Sequence, residues 1–366
     1  MVRVEQSLLL VVAMLSTFVV IADEAADLEA FNAAYSAYQE YADQKDFNRA
    51  TPEAKVAYEL SQQIFGLEHQ NTASLAYNYG LALIEIEDEA EAKQILRETL
   101  SLYKAAYGKD STELIPVLMD LGRVSAEAYR PANQIRYYNR ALALAADHYG
   151  RASQRYGRLS LEAGVGLLNE AQTPDAEIYL QDAYRILRNV LGEESDITGI
   201  AAFQLARFEV AIQQYGAAEG HLLAALKTFA DPDRPSTQIE MSAHAWLVAI
   251  YEETGESQKA TAHCLAIGRM TPIGADQEYL PLFKKTPKYP VAARQRGLEG
   301  SVLVKFSVDQ DGFVREPQVV EIKGHKGFES ATIEAVKEFR YAPRFVEGAP
   351  VATDNVYHII TFTLAD

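Results

Sequence analysis

His263 and Cys264 stand side by side in this 366-residue chain, a possible base next to a possible nucleophile. A thiolate–imidazole pair must face one common space, and adjacent residues on a helix point to different faces. Cys264 therefore reads as a small buried hydrophobe in a helix. As the sole cysteine it cannot close an intrachain disulfide. The other histidines, His69, His148, His221, His244, His325 and His358, are dispersed. Each reads as a surface or hydrogen-bonded core side chain rather than a metal ligand. His69 next to Glu68 is a chance neighbour. The chain has no His-Glu-x-x-His helix, no Gly-x-Ser-x-Gly elbow and no phosphate loop. Gly164-Val165-Gly166 lies inside a helical stretch, not after a strand, so it is no dinucleotide fingerprint. The expectation is a non-enzyme with no catalytic residue, no cofactor and no metal.

The elements that carry these residues are of two kinds. The formal net charge is −17, from 34 Lys/Arg and 51 Asp/Glu. Residues 280–366 hold 12 basic and 11 acidic residues, so the rest of the chain carries a balance of −18. Two differently built parts fit that split. Nucleic acid is not an expected partner, because phosphate binding needs a basic face.

The acidic part repeats. Phe65-Gly66, Tyr107-Gly108, Tyr149-Gly150 and Leu191-Gly192 recur every 42 residues. So do Gly80, Gly122, Gly164 and Ala206; Ala50, Ala92, Gln134, Ala176, Ala218 and Ala260; and Ala57, Thr99, Ala141, Ala183 and Ala225. Two helices approach to ~8–10 Å only where no bulky side chain stands between them, so in-phase small residues mark helix crossings. Gly at 66, 108, 150 and 192 suits a helix end. Ser, Thr and Asp in 108-GKDST-112 and 192-GEESDIT-198 stand ready to cap the next helix. Within one unit the small residues Gly164, Ala176 and Ala183 are spaced by twelve and then seven. That spacing resembles the tetratricopeptide repeat (TPR), in the longer form found in kinesin light chain. HEAT-like or armadillo-like units of similar period are the alternative. The resemblance covers residues 30–270, with five clear units and a degraded first one. It implies a superhelix whose concave face binds proteins. Tyr35, Tyr38, Tyr41, Tyr77, Tyr79, Tyr137 and Tyr138 serve either as packing or as interface residues.

Residues 271–288 hold three prolines and a glycine, Pro272, Gly274, Pro281 and Pro287, and read as a linker. Beyond it the period changes to two. Val302, Val304, Phe306 and Val308 alternate with more polar neighbours, 309-DQDG-312 is a hairpin turn, and 313–324 returns as a strand. Pro317 marks a bulge or an edge there. Phe328, Ala331, Thr332, Ala335, Val336 and Phe339 recur at helical spacing. Residues 341–350 read as a loop. Val356, His358, Ile360, Phe362 and Leu364 alternate in a last strand. The order strand, strand, helix, strand suits a three-stranded antiparallel sheet with one helix on a face, a small α+β module.

Residues 289–364 resemble the C-terminal domain of the TonB family. The resemblance rests on Tyr289-Pro290, Gly297, Glu299-Gly300, Asp311-Gly312 and Phe339-Arg340-Tyr341-Ala342-Pro343, with Gly348 and Pro350-Val351 before the last strand. Phe339 stands where the family often has Trp. The resemblance implies docking by strand addition, in which a partner segment pairs with the last strand. The expected contact residues are then Val356, Tyr357, His358, Ile359, Ile360, Thr361, Phe362, Thr363 and Leu364. Lys284, Lys285 and Thr286 lie where the family makes flanking contacts. The implied partner is a protein of the cell envelope, with an outer-membrane receptor as the family's example.

The uncharged run 7-SLLLVVAMLSTFVVI-21 is 15 residues long, within the ~7–15 of a signal-peptide core and short of the ~20 that span a membrane. It reads as a secretory signal, with an uncleaved anchor as the alternative. Membrane contact is expected only if the segment is retained. The family's Pro-rich spacer is missing, and the run carries no ionisable residue for proton coupling. The expected layout is a signal segment over 1–22, helical repeats over 23–270, a linker over 271–288 and the TonB-like module over 289–366. The expected function is a periplasmic adaptor. A divergent energy transducer held in the inner membrane is the alternative.

Overall fold

The computed structural model describes residues 22–126, 130–169, 173–230, 235–270 and 279–364. The hydrophobic run over 7–21 lies outside them. The chain divides into two compact units, one ending at Val190 and one beginning at Leu191.

The regular elements among the described residues of the first unit are all helices. Its elements are α1 (Ala22–Asp43), α2 (Phe47–Ile64), α3 (Gln70–Glu85), α4 (Glu89–Tyr107), α5 (Leu114–Arg123), α6 (Ala132–Tyr149), α7 (Gln154–Leu168) and α8 (Pro174–Leu191). The 42-residue glycines sit where consecutive helices close on each other. A methyl group on Gly80 would lie 2.8 Å from Leu96, on Gly122 2.2 Å from Tyr138, and on Gly164 2.7 Å from Leu180. In each case the facing side chain comes 16 positions later, so one crossing geometry is repeated. The alanines of the other two series, Ala50, Ala92, Ala176, Ala57, Ala141 and Ala183, are completely buried. The helical pairs are TPR-like repeats.

Gly108 and Gly150 end α4 and α6 with φ of 88° and 82°, left-handed values that cost glycine nothing. N-terminal capping departs from expectation. Glu113 begins α5 without a side-chain cap bond, although Ser111 and Thr112 precede it. The caps form at Asp88, Ser153 and Thr173, whose side chains accept the amides of Glu91, Tyr156 and Ala176.

The second unit begins with α9 (Asp196–Ala211), α10 (Tyr215–Phe229), α11 (Gln238–Thr254) and α12 (Ser257–Met270). Ser195 precedes α9 without a cap bond. At α11 Thr237 and Glu240 form a reciprocal capping box. Ala206 and Leu222, again 16 apart, are both fully buried.

The α+β module completes this unit. It contains α13 (Val291–Gln295), β1 (Gly300–Val308), β2 (Val314–Lys323), α14 (Gly327–Val336), β3 (Arg344–Val346), β4 (Ala349–Val351) and β5 (Thr353–Phe362). The main sheet has the order β2-β1-β5, antiparallel throughout. Alternation puts Val302, Val304, Phe306 and Val308 on one face with Val356, Ile360 and Phe362. There they meet Phe328, Ala331, Ala335 and Val336 of α14 in one core. The turn at Gly312 has φ of 85°, and a methyl group there would stand 2.1 Å from the Tyr341 carbonyl.

Three features differ from the sequence expectation. The helix ends at Val336, and Phe339 follows in a tight turn in which its amide donates to the Val336 carbonyl at 3.1 Å. That early stop frees Arg340 to pair with Phe283. The stretch 341–350 is a hairpin rather than a loop: β3 and β4 turn through Glu347 and Gly348, both at positive φ. The last strand runs Thr353–Phe362, and Leu364 lies beyond it with its amide held by the Glu299 carboxylate at 2.8 Å.

Candidate partner-binding edge

Among the described residues two strands of the main sheet have a free side, β2 and β5, because β1 is central. They are not equivalent as templates for another strand. In β2 the register against β1 slips twice, between Leu303 and Val304 and between Lys305 and Ser307. The second slip contains Glu316, at φ of 51°, and Pro317, which has no amide to donate. Exposed Arg315, Glu316, Glu321 and Lys323 add charge along the same strand. These are the features that blunt an edge.

β5 lacks them over most of its length. From Gly300↔Phe362 to Phe306↔Val356 it pairs with β1 without a slip. No residue from Val356 to Phe362 is acidic, Lys, Arg or Pro. Val356, Ile360 and Phe362 face the core, while Tyr357 and Ile359 stand 54% and 63% exposed on the other face. The Lys305 ammonium sits 5.9 Å from the Tyr357 ring. Large apolar side chains on an open, slip-free, uncharged edge are what strand addition uses: main-chain groups bind and side-chain surface selects.

The residues matched to the TonB family hold this edge in place. Phe362 at the end of β5 stacks on Phe328 at 4.3 Å, and Tyr289 meets both rings edge-on. The Tyr289 hydroxyl donates to the Leu298 carbonyl at 2.7 Å. Gly300 allows β1 to pass β2, since a methyl group there would lie 2.0 Å from the Lys323 carbonyl. Phe339 packs edge-on against His358 from β5. Gly297 takes a positive φ, and Pro290 precedes α13. Buried Tyr341 packs on Phe306 and Tyr279, and burial, then Tyr279, pushes its phenol pKa upward. Pro343 presents its carbonyl to Gly268 of α12. Of the flanking residues, Lys284 and Thr286 are exposed, and Lys285 lies 3.6 Å from Glu253 of α11.

Two polar clusters in the repeats were not legible beforehand. In the first unit buried Asp120 accepts from the Tyr77 hydroxyl at 2.6 Å and from Arg123 at 2.7 Å. Glu162 lies near them, and desolvation, then the Asp120 charge, raises its carboxyl pKa. In the second unit His244 of α11 and His263 of α12 bring their Nδ1 atoms to 2.6 Å. Burial first, and His263 second, depress the His244 pKa to about 4. The pair is 19 residues apart in sequence, and only the folding of α11 against α12 joins them. Among the described residues no three His, Cys, Asp or Glu side chains gather as a metal site. Cys264 is buried in α12, and its thiol is pushed up to about 11 by burial.

Residues 285–364 match the family model described as the Gram-negative bacterial TonB protein C-terminal. The chain is 32% identical over 81 residues to "Protein TonB" of Vibrio cholerae serotype O1, covering 22% of this chain and 33% of that protein. It is 35% identical over 77 residues to "Protein TonB" of Pseudomonas aeruginosa, covering 21% and 22%. The chain thus spans a third or less of the length of these relatives. Among solved structures, it is similar to the kinesin-light-chain TPR-like repeats of Podosopora anserina, at 13% identity and a TM-score of 0.48. That match covers 58% of this chain and all of the other.

Proposed function

We propose that this protein is a non-catalytic adaptor of the periplasm that captures an extended segment of a partner protein on β5. The observation that carries the reading is the contrast between the two sheet edges: β2 is bulged, charged and interrupted by Pro317, while β5 from Val356 to Phe362 pairs without a slip, holds no Asp, Glu, Lys or Arg, and exposes Tyr357 and Ile359. The match over 285–364 to a TonB C-terminal model supports it. An outer-membrane receptor is the partner that this family suggests. The TPR-like repeats supply a second protein-binding surface, and their acidic balance suits a basic partner.

Proline at Ile359 or Thr361 tests the binding mode. It deletes one backbone donor of the strand and leaves the core-facing side chains in place. Partner capture is expected to be lost while the module stays folded. Unchanged capture by a folded variant removes strand addition from the reading. Mass spectrometry of the mature N-terminus tests location. A soluble chain beginning at Asp23 fits the adaptor, and a full-length chain in the inner-membrane fraction favours a TonB-type transducer.

A further inference from the structure

The side chain of Arg340 is 1% exposed. It leaves its own core and enters the last helical pair. One guanidinium nitrogen bonds the Glu252 carboxylate of α11, and donates to the Ser257 carbonyl at 3.2 Å. The other donates to the Thr261 hydroxyl of α12 at 2.9 Å, and to the Asp311 carbonyl in the β1–β2 turn at 3.0 Å. Phe313 lies flat beneath the cation, 3.8 Å from its ring centre. Around this contact the surfaces meet through glycines. Gly268 of α12 faces the Pro343 carbonyl and the Phe345 ring, and Gly312 faces Cys264. Arg269 covers Phe345 at 5.6 Å.

The module's hydrophobic core is built without residues of these helices. Its buried residues run from Ala293 to Phe362, and the partly buried residues packed on them are Tyr279, Tyr289, Leu298, Val319, Ile322 and Ile333. None belongs to α11 or α12. The contact with the helical pair combines this buried charged group with close approaches at Gly268 and Gly312, the Phe345 ring under Arg269, and the Lys285–Glu253 ion pair. A buried ion pair of this kind is specific, but its desolvation cost offsets most of its attraction. Arg340 also leaves its Nε without a partner, so the contact is not optimised for strength.

We infer that Arg340 and Glu252 form a releasable latch between the last helical pair and the TonB-like module, two bodies that each stay folded when it opens. Closed, the latch fixes the module, and with it β5, on α11–α12. Open, the module stays joined to α12 by the covalent chain. The inference does not depend on what β5 binds.

The protein carries its own reporters. Cys264 is the only thiol, and it is fully buried under Gly312 beside Arg340. Trp246, the only tryptophan, lies in α11 and reports whether that helix is folded. The test measures the rate of N-ethylmaleimide labelling of Cys264 in the full chain. Wild-type protein should label slowly. Arg340→Ala and Glu252→Gln should label more than about tenfold faster, because each leaves the other group buried and unpaired. Trp246 emission and hydrogen-exchange protection of β1 should stay as in wild type. Thr261→Val, which removes one hydrogen bond with little change of shape, should give a smaller rise if either charge variant fails to fold. Labelling of wild type at the rate of a free thiol overturns the latch, as does unchanged labelling in Thr261→Val. Loss of β1 protection in a folded-repeat Arg340→Ala protein shows a single fused fold and overturns it too.

Discussion

Replacing glycine by alanine should move stability in opposite directions at two positions of the repeats. Gly164 and Gly220 both lie inside helices, α7 and α10. At Gly220 an added methyl group meets nothing within 4 Å. The substitution then only lowers the backbone entropy cost of the helix and should stabilise by ~0.5–1 kcal/mol. At Gly164 the same methyl group stands 2.7 Å from the branch carbon of Leu180, and 3.2 Å from the Leu180 backbone nitrogen. The branch point cannot swing away as a chain end can, so α7 and α8 must separate. Overpacking of this kind costs ~1–3 kcal/mol, which exceeds the helix gain and leaves a net loss of about 1–2 kcal/mol. Gly80 should lose less, because the atom it meets at 2.8 Å is the far end of Leu96. Urea unfolding followed by circular dichroism, with hydrogen exchange to localise the change, gives the ranking Gly220→Ala above wild type, wild type above Gly80→Ala, and Gly164→Ala lowest. If Gly164→Ala is as stabilising as Gly220→Ala, the small-residue series does not mark helix crossings and the repeat register is wrong.

Other perturbations have equally definite outcomes. Phe362→Ala removes a ring stacked on Phe328 in the module core; it should destabilise the module by ~3–5 kcal/mol in denaturant titration and leave the repeats unaffected. The His244–His263 pair should make the second unit acid-sensitive. His244 has a depressed pKa, so the unfolded chain binds more protons below its ordinary value. Stability is then intact above about 6.5 and falls as pH drops towards about 4, by up to ~3 kcal/mol for the His244 shift. The groups near the pair, Tyr251 of α11 stacked on His263 and Glu219 of α10, should not reverse that sign. Thermal melts of wild type and His244→Asn between those pH values should diverge on acidification, and parallel curves would count against the pair.

What the sequence makes legible is what repeats or alternates. The glycines at 80, 122 and 164 could be read because a helix crossing tolerates nothing larger, and the same crossing recurs every 42 residues. Val302 to Val308 could be read because a strand with one buried face must alternate. The β3–β4 hairpin could not: each strand has three residues, too few to show a period, and its turn uses Glu347 at a positive φ that a side chain seldom takes. Nor could contacts made across the fold. Arg340 meets Glu252 across 88 positions and His244 meets His263 across 19, and no local pattern records either. The contact residues on β5 were named by family resemblance alone. Their sides follow from alternation, but which strand lies at an open edge is a property of topology, visible only in the order β2-β1-β5.

Photo-crosslinking along both sheet edges in living cells is the most direct measurement. A light-activated residue placed in turn at Tyr357, Ile359 and Thr361 on β5, and at Gln318, Val320 and Ile322 on β2, records which edge has a neighbour. The expected result is a crosslink to one extended partner segment from the β5 positions, shifting by two residues along the partner for each two-residue step, with none from β2. Crosslinks confined to β2, or a folded β5 that captures nothing in the cell, would contradict strand capture at this edge.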